Sequence, residues 1–331
     1  MISILIVTYG NRWTMLKTVI LSLIDLDPLV QIVIVDNGTN YDLEKLISNI
    51  SIKNKINILR LEKNMGSAYG FKFGLEYIMY NKNTEFVWML DDDNKPVDNC
   101  LDHILHYWYA IKSISKNEMH AILPLRINRK YLVNVSNGDP IEFNFPSKNA
   151  FLGFNLIRLP AYFKYKISKA FKKKSLLNAR DVEIPFAPYG GLFLHKNLIN
   201  LIGLPDIKYF LYADDFEYTN RITNSGGRIF LLHRCKIVDL DSVWYRNRRS
   251  TILGSRYLLQ DKFRRYYTVR NNVYFAHNFL CSSKMLFIFN MFLFLFIMLL
   301  TSILFLKINT YKVFLRAVRD GMVGNFQNDI E

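Results

Sequence analysis

The chain has 331 residues, about half of them hydrophobic, and a formal charge of +15. That is enough apolar material for one large or two smaller α/β domains, and the basic balance points to an anionic partner. Paired zinc ligands and a ribonucleoprotein consensus are both absent, so nucleic acid is not the expected partner. Cys100, Cys235 and Cys281 are odd in number and widely spaced. They suit neither a metal motif nor a disulfide framework, and a reducing compartment is the simpler inference.

The first residues already read as a strand, without a basic leader or a small-residue cleavage site, so no signal peptide is expected. Apolar runs predict strands at 2–8, 31–36, 56–61, 85–90 and 120–125. Helical periodicity fills the gaps at 13–25, 42–50, 67–80 and 98–114. This alternation predicts a mostly parallel, Rossmann-like sheet flanked by helices. In such sheets ligands bind beyond the carboxyl ends of the strands. Thr8, Arg12, Asp36, Asn37, Asp91 and Asp93 cluster at those ends.

From 128 to about 180 the pattern weakens into Pro, Gly and Lys punctuation, and regularity returns at Ala187. Basic residues concentrate at 164–174 and at 246–270, the second stretch holding Arg246, Arg248, Arg249, Arg264 and Arg265. Residues 285–306 carry no charge and are flanked by Lys284 and Lys307. Twenty-two residues can cross a hydrocarbon core of about 30 Å. A span, a helix lying on the membrane surface and a buried soluble helix all stay open.

The most informative motif is Asp91-Asp92-Asp93-Asn94, at the exit of the fourth strand. Three adjacent carboxylates repel unless something positive sits among them. Mg²⁺ or Mn²⁺ held by carboxylates commonly also holds a phosphate; a solvated acidic turn is the competing reading. Asn64-Met65-Gly66 precedes a helix with small residues that let a ligand approach the backbone. The first loop lacks a G-x-G-x-x-G, which argues against a dinucleotide fold. A second acidic group, Asp214-Asp215-Phe216-Glu217, opens a helix that carries Arg221. Asp214 can cap that helix, leaving Asp215 free to act as a general base.

Taken in order, Thr8-Tyr9 with Arg12, Val35-Asp36-Asn37, Asn64-Met65-Gly66, the Asp triplet with Pro96, and the block from Gly190-Gly191 to Arg221 resemble the family 2 glycosyltransferases with a GT-A fold. The resemblance covers roughly residues 1–280. The triplet, the Gly191 to Arg221 block and Arg265-Tyr266-Tyr267-Thr268-Val269-Arg270-Asn271-Asn272 look most like bacterial rhamnosyl- and galactofuranosyltransferases. It implies a GT-A catalytic domain at 1–245, with a nucleotide-sugar-binding half at 1–125 and an acceptor half at 126–245. A basic and apolar helical membrane-associating region at 246–331 would follow.

By the same resemblance Asp91 and Asp93 form a D-x-D that holds Mn²⁺ or Mg²⁺, with Asp239 or His233 as third ligand. A lone histidine such as His233 is more often a surface residue. Donor contacts are implied for Thr8, Arg12, Asp36, Asn37, Asn64, Gly66, Asp91 and Asp92. Asp215 is the implied base, supported by Gly191, Asp214, Glu217 and Arg221. The implied reaction is inverting transfer of rhamnose or galactofuranose from a UDP- or dTDP-linked donor. The acceptor would be a lipid-linked or polysaccharide glycan, in O-antigen or capsule synthesis at the cytoplasmic face of the bacterial inner membrane. An inactive nucleotide-sugar-binding partner and a nucleotidyltransferase are the alternatives. The second would need a Gly-rich basic loop after the first strand, which Thr8-Tyr9-Gly10-Asn11-Arg12 does not supply.

Overall fold

The computed structural model describes residues 1–24, 26, 30–50, 55–114, 119–171, 179–241 and 255–327. Arg246, Arg248 and Arg249, singled out above, lie outside the described residues, as does the end of the 164–174 cluster. In chain order the elements are β1 (Ile2–Gly10), α1 (Trp13–Leu21), β2 (Val30–Thr39), α2 (Leu43–Ser48), β3 (Lys55–Leu61), α3 (Gly66–Tyr80), β4 (Phe86–Asp91), β5 (Asn94–Pro96), α4 (Cys100–Ile114), β6 (His120–Arg126) and α5 (Lys130–Ser136). Then follow α6 (Leu159–Phe171), β7 (Val182–Ile184), β8 (Phe193–His195), α7 (Lys196–Ile202), α8 (Asp214–Asn224), β9 (Arg228–Asp239), α9 (Ser255–Leu259), α10 (Lys262–Phe275), α11 (Lys284–Leu304) and α12 (Ile308–Val323).

These elements separate into two compact units. The first comprises Met1–Gly138, Asn178–Phe210 and Asp214–Val243. The second comprises Asp139–Leu177, Leu211–Ala213 and Trp244–Glu331.

The first unit is built on one mixed sheet with strand order β3-β2-β1-β4-β8-β6-β9-β5, and β7 pairs with β9 off that path. The β3-β2-β1-β4 half is parallel, as the strand-helix alternation predicts. Beyond it β8 enters antiparallel between β4 and β6, while β6 and β9 run parallel. Ile4, Ile6, Ile32, Ile34, Trp88 and Leu90 point to one face and pack beneath Leu16, Ile20, Ile104 and Trp108. Both sheet faces are covered, which is why the central strands read as unbroken apolar runs.

Register fixes where the strands end. Thr8 lies opposite Asp36 and Val7 opposite Asp91, so three exits finish within a residue of one another. On the far edge Asn94 lies opposite Asp239. Residues 228–239 form one continuous strand, β9. Its pairing with β6 jumps from Leu232 to Lys236, so His233, Arg234 and Cys235 bulge out of the ladder.

The second unit is helical. Tyr266 Oη donates to buried Asp320 Oδ2 at 2.8 Å, tying α10 to α12. The Arg270 guanidinium lies over the rings of Tyr266, Tyr267 and Phe326. Asn271 Nδ2 donates to the carbonyls of Leu211 and Tyr212 at 2.7 and 3.0 Å. Among the described residues, α11 is the one helix long and apolar enough to cross a membrane.

Candidate active site

The acidic triplet divides three ways. Asp92 turns inward, accepting from Thr8 Oγ1 at 2.8 Å and from Arg12 Nε on both oxygens at 2.8 and 2.9 Å. Arg12 also reaches Asp241 at 3.0 Å. Burial pushes the Asp92 carboxyl up to about 6 against the pull of Arg12. Thr8, Arg12 and Asp92 thus satisfy one another and brace the loop after β4. Asp93 is buried and accepts from Asn94 Nδ2 at 3.0 Å. Burial first, then the neighbouring Asp91, lifts it above the usual carboxylate range. Asp91 is the open member: its side chain is 36% exposed and only Oδ2 is engaged, by Arg126 Nη1 at 3.2 Å.

Arg126 was not singled out in the sequence, yet it organises this corner. It is 1% exposed. Its Nε donates to Asp239 Oδ1 at 2.7 Å, and Nη1 donates to Asp91 and to the Gly190 carbonyl, each at 3.2 Å. Burial disfavours its charge, but Asp91 and Asp239 outweigh that and hold it protonated. Its Nη2 is buried without a hydrogen-bond partner among the described residues, a costly arrangement unless a ligand oxygen completes it. The signal was present: the strand-exit rule applies to β6, but the expected strand stopped one residue short, at 125.

Both candidate third ligands are engaged elsewhere. Asp239 is fully buried, with Arg126 on one oxygen and Arg129 on the other at 2.9 Å. His233, displaced by the bulge in β9 several residues back along the strand from Asp239, donates from Nδ1 to Asp181 Oδ1 at 2.7 Å. Among the described residues no three His, Cys, Asp or Glu form a metal cage by themselves. Asp91 and Asp93 still fit a divalent ion. One oxygen of Asp91 is free, and Asp93 is held by its neighbours in a state that a nearby cation would relieve. Such an ion needs oxygens from a bound phosphate to complete its shell.

Asn37, Asn64 and Gly66 are tied together. Asn37 Oδ1 accepts from Met65 N at 2.8 Å and its Nδ2 donates to the Gly66 carbonyl at 3.0 Å. Asn64 Oδ1 accepts from Gly66 N at 2.9 Å. Gly66 has φ +83°, and a Cβ there would collide with the Phe210 carbonyl, so no other residue suits the position. Asp36 is buried and caps its own turn, accepting from Thr39 N at 2.7 Å and Thr39 Oγ1 at 3.0 Å.

The second acidic group sits on the first turn of α8, where the helix dipole favours carboxylates. Asp214 accepts from Ser67 Oγ at 2.7 Å, and burial followed by Asp215 raises its pKa. Glu217 and Arg221 form a bidentate pair at 2.6 and 2.8 Å. Arg221 also holds the carbonyls of Ile202 and Leu204. Asp215 is half-buried, and its side chain accepts from Phe216 N at 2.8 Å. Burial raises its pKa, the Phe216 amide opposes that, and the charge on Asp91 adds to the rise. The 187–191 loop links the two groups: Thr219 Oγ1, one turn after Asp215, accepts from Ala187 N at 2.9 Å and donates to its carbonyl at 3.0 Å, and Gly190 lies against Asp91 Oδ2.

Gly190 and Gly191 line the seam. A Cβ on Gly190 would collide with Asn94 Oδ1, Asp91 Oδ2 and Arg126 Nη1. Gly191 accepts from Trp88 Nε1 at 3.1 Å and donates to the Met89 carbonyl at 2.7 Å, locking the loop to β4.

Residues 3–115 match the model of glycosyl transferase family 2. This segment of the chain is similar to that family. The enzyme class this indicates is glycosyltransferase. The galactofuranosyltransferase GlfT1 of Mycolicibacterium smegmatis is 21% identical over 253 residues, covering 73% of this chain and 72% of the relative. Among solved structures, GalNAc-T7 with UDP, GalNAc and Mn²⁺ aligns with a TM-score of 0.48 and 18% identity over 72% of this chain. Residues 1–349 of TarS from S. aureus align at 0.47 and 14% over the whole chain. The chain spans 43% of the GalNAc-T7 structure and 94% of the shorter TarS structure.

Proposed function

We propose that this protein is a family 2 glycosyltransferase that moves a sugar from a UDP- or dTDP-linked donor to a glycan hydroxyl with inversion at the anomeric carbon. The loop that joins the two acidic groups, bonded to Thr219 of α8 through Ala187 and packed against Asp91 at Gly190, carries the reading. Asp215 has an oxygen free of hydrogen bonds and takes the acceptor proton as the new bond forms. Asn37, Asn64 and Gly66 shape the donor loop, and Asp36 stands at the adjacent strand exit on the nucleoside side. Asp91 and Asp93 would hold Mn²⁺ or Mg²⁺. Bound there, the ion would neutralise charge on the departing diphosphate. Arg126 Nη2, still seeking an acceptor, offers a second positive contact for the same oxygens. With Asp239 clamped between two arginines, Asp91 and Asp93 would hold the ion together with oxygens of the donor's phosphates.

The relative's activity favours galactofuranose as the sugar, with rhamnose as the other member of the subgroup. We place the enzyme at the cytoplasmic face of the bacterial inner membrane, acting on a lipid-linked acceptor in cell-surface glycan synthesis. The apolar α11 and the basic charge support this. The test is nucleoside diphosphate release from a panel of UDP- and dTDP-sugars. Release should require Mn²⁺ or Mg²⁺ and stop in EDTA. Full turnover in chelator would remove the ion from the reaction, and no release from any donor would reject the transfer itself.

A further inference from the structure

The two long faces of α11 have different fates. Met285, Phe289, Phe292, Phe296, Leu300 and Ile303 follow one another at helical spacing and are exposed from end to end. On the other side Phe287, Asn290, Phe294, Met298 and Thr301 form a second full-length stripe, and it is buried. That inner stripe is fastened at its middle by polar contacts. Asn290 Oδ1 accepts from Leu156 N, and its Nδ2 donates to the Asn149 carbonyl, both at 3.0 Å. Phe294 packs on Phe151, Phe154 and Phe314, and Tyr311 Oη donates to the Leu295 carbonyl at 3.0 Å.

Tyr311 and Phe314 belong to α12, which therefore folds back along α11. Helix α12 carries exposed Lys312, Arg316 and Arg319. A spanning α11 would drag its midpoint partners, the 149–156 segment and the first charged turns of α12, into hydrocarbon. Unsatisfied backbone and charge are both disfavoured there. A helix lying flat meets neither problem. Its whole outer stripe faces lipid at one depth, and Lys284 and Lys307 mark the two ends at headgroup level. Residues 261–327 expose seven Lys or Arg against one exposed acid, Asp261, while Arg265, Arg270 and Asp320 are buried. That frame suits an anionic surface and opposes a second copy of itself.

We propose that α11 lies in the plane of an anionic membrane surface as a monotopic anchor, its Met285-to-Ile303 stripe immersed among the acyl chains. The proposal rests on the membrane-associated reading but not on the sugar-transfer chemistry, and the experiment separates the two. The full chain is floated with vesicles of phosphatidylethanolamine and phosphatidylglycerol. It should bind these and lose binding when phosphatidylcholine replaces the anionic lipid. The triple variant Phe289→Ser, Phe292→Ser, Phe296→Ser alters only exposed positions. It should lower vesicle binding about tenfold or more while circular dichroism stays unchanged. Met285→Trp, Phe296→Trp and Ile303→Trp, made singly, then report depth through quenching by brominated lipids, measured against the parent chain. Equal quenching by shallow bromines at all three supports the flat helix. Deep quenching at Phe296→Trp alone would establish a span and overturn it. Absence of vesicle binding, with self-association that the triple variant abolishes, would give the face to a second copy and also overturn it. Donor turnover enters none of these readouts.

Discussion

The two acidic groups of the first unit differ in their surroundings but divide their labour alike. At the exit of β4, Asp92 is spent on Thr8 and Arg12, Asp93 is held by Asn94, and Asp91 keeps an oxygen open. At the head of α8, Asp214 is spent on Ser67, Glu217 on Arg221, and Asp215 stays open. Each group therefore keeps one carboxylate with an open oxygen beside others engaged by neighbouring side chains. The groups differ in their compensating charge. Arg126 and Arg12 stand among the β4 acids, whereas the acid at the head of α8 next to the cleft relies on a backbone amide. The first arrangement suits a place where a cation and phosphates come and go. The second leaves a carboxylate poorly stabilised as an anion, which is what a proton acceptor requires.

The largest expected effect tests that division directly. Asp215→Asn should lower kcat by roughly two to four orders of magnitude with an unchanged unfolding midpoint. Asp214→Asn should leave most of kcat in place. If Asp214→Asn instead abolished turnover in a stably folded protein, the two roles would have to be exchanged. The pH profile sharpens the same contrast. Asp215 must be ionised to accept a proton, and its pKa lies above the ordinary 3.8. The acid limb of kcat/KM should then have its midpoint above that value and vanish in the Asp215→Asn residual rate.

Next in size is Arg126. Removing it takes one of two arginine partners from buried Asp239 and the partner of the part-exposed Asp91, and breaking a buried pair costs about 3–5 kcal/mol. Arg126→Met, similar in length, should show that loss in urea unfolding. Near-normal stability would mean the carboxylates had found other partners, and that Arg126 is there for the ligand alone.

Asp214 contributes a smaller, pH-linked term. Its folded pKa is raised above 3.8 by burial and by Asp215. A carboxyl raised in this way favours folding fully below its unfolded pKa, and the contribution is lost as pH rises through the folded pKa. Stability of the native chain should decline from about pH 4 upward, and Asp214→Asn, which can still accept from Ser67, should flatten that decline. An identical slope in both proteins would assign the titration to another group.

Much of this was legible because strand exits are polar for a reason that sequence exposes. Apolar runs end where the chain leaves the sheet, and Thr8, Asp36 and Asp91 all mark such ends. The parallel half followed from strand-helix alternation. Less visible was the far half, where β8 is three residues long and β5 only three, too short for periodicity to register. Those short strands set Asn94 opposite Asp239 and bring Arg126 beside Asp91, so the partnership that occupies Asp239 lay beyond sequence reasoning. The bulge at His233 to Cys235 was hidden too, because the residues inside it are no more polar than a strand edge. For α11 the sequence showed length and apolarity, whereas the distinction between its covered and open faces needed the packing of Asn290 and Tyr311.

The smallest expected effect concerns the clamp on α8. Arg221 pairs with Glu217 four residues earlier and also holds the carbonyls of Ile202 and Leu204 through Nη1 at 3.2 and 2.9 Å. Lysine keeps the charge but cannot form the bidentate pair and reach both carbonyls at once. Arg221→Lys should therefore cost about 1.5 kcal/mol in unfolding free energy, the scale of a lost charged hydrogen bond. Because the clamp acts on the far side of the helix's first turn from Asp215, KM for the donor and the acid limb of the rate should stay where they are. A shift of that limb would show that Glu217, released from its arginine, repels Asp215, and the two acidic groups would then be less alike than their hydrogen bonds suggest.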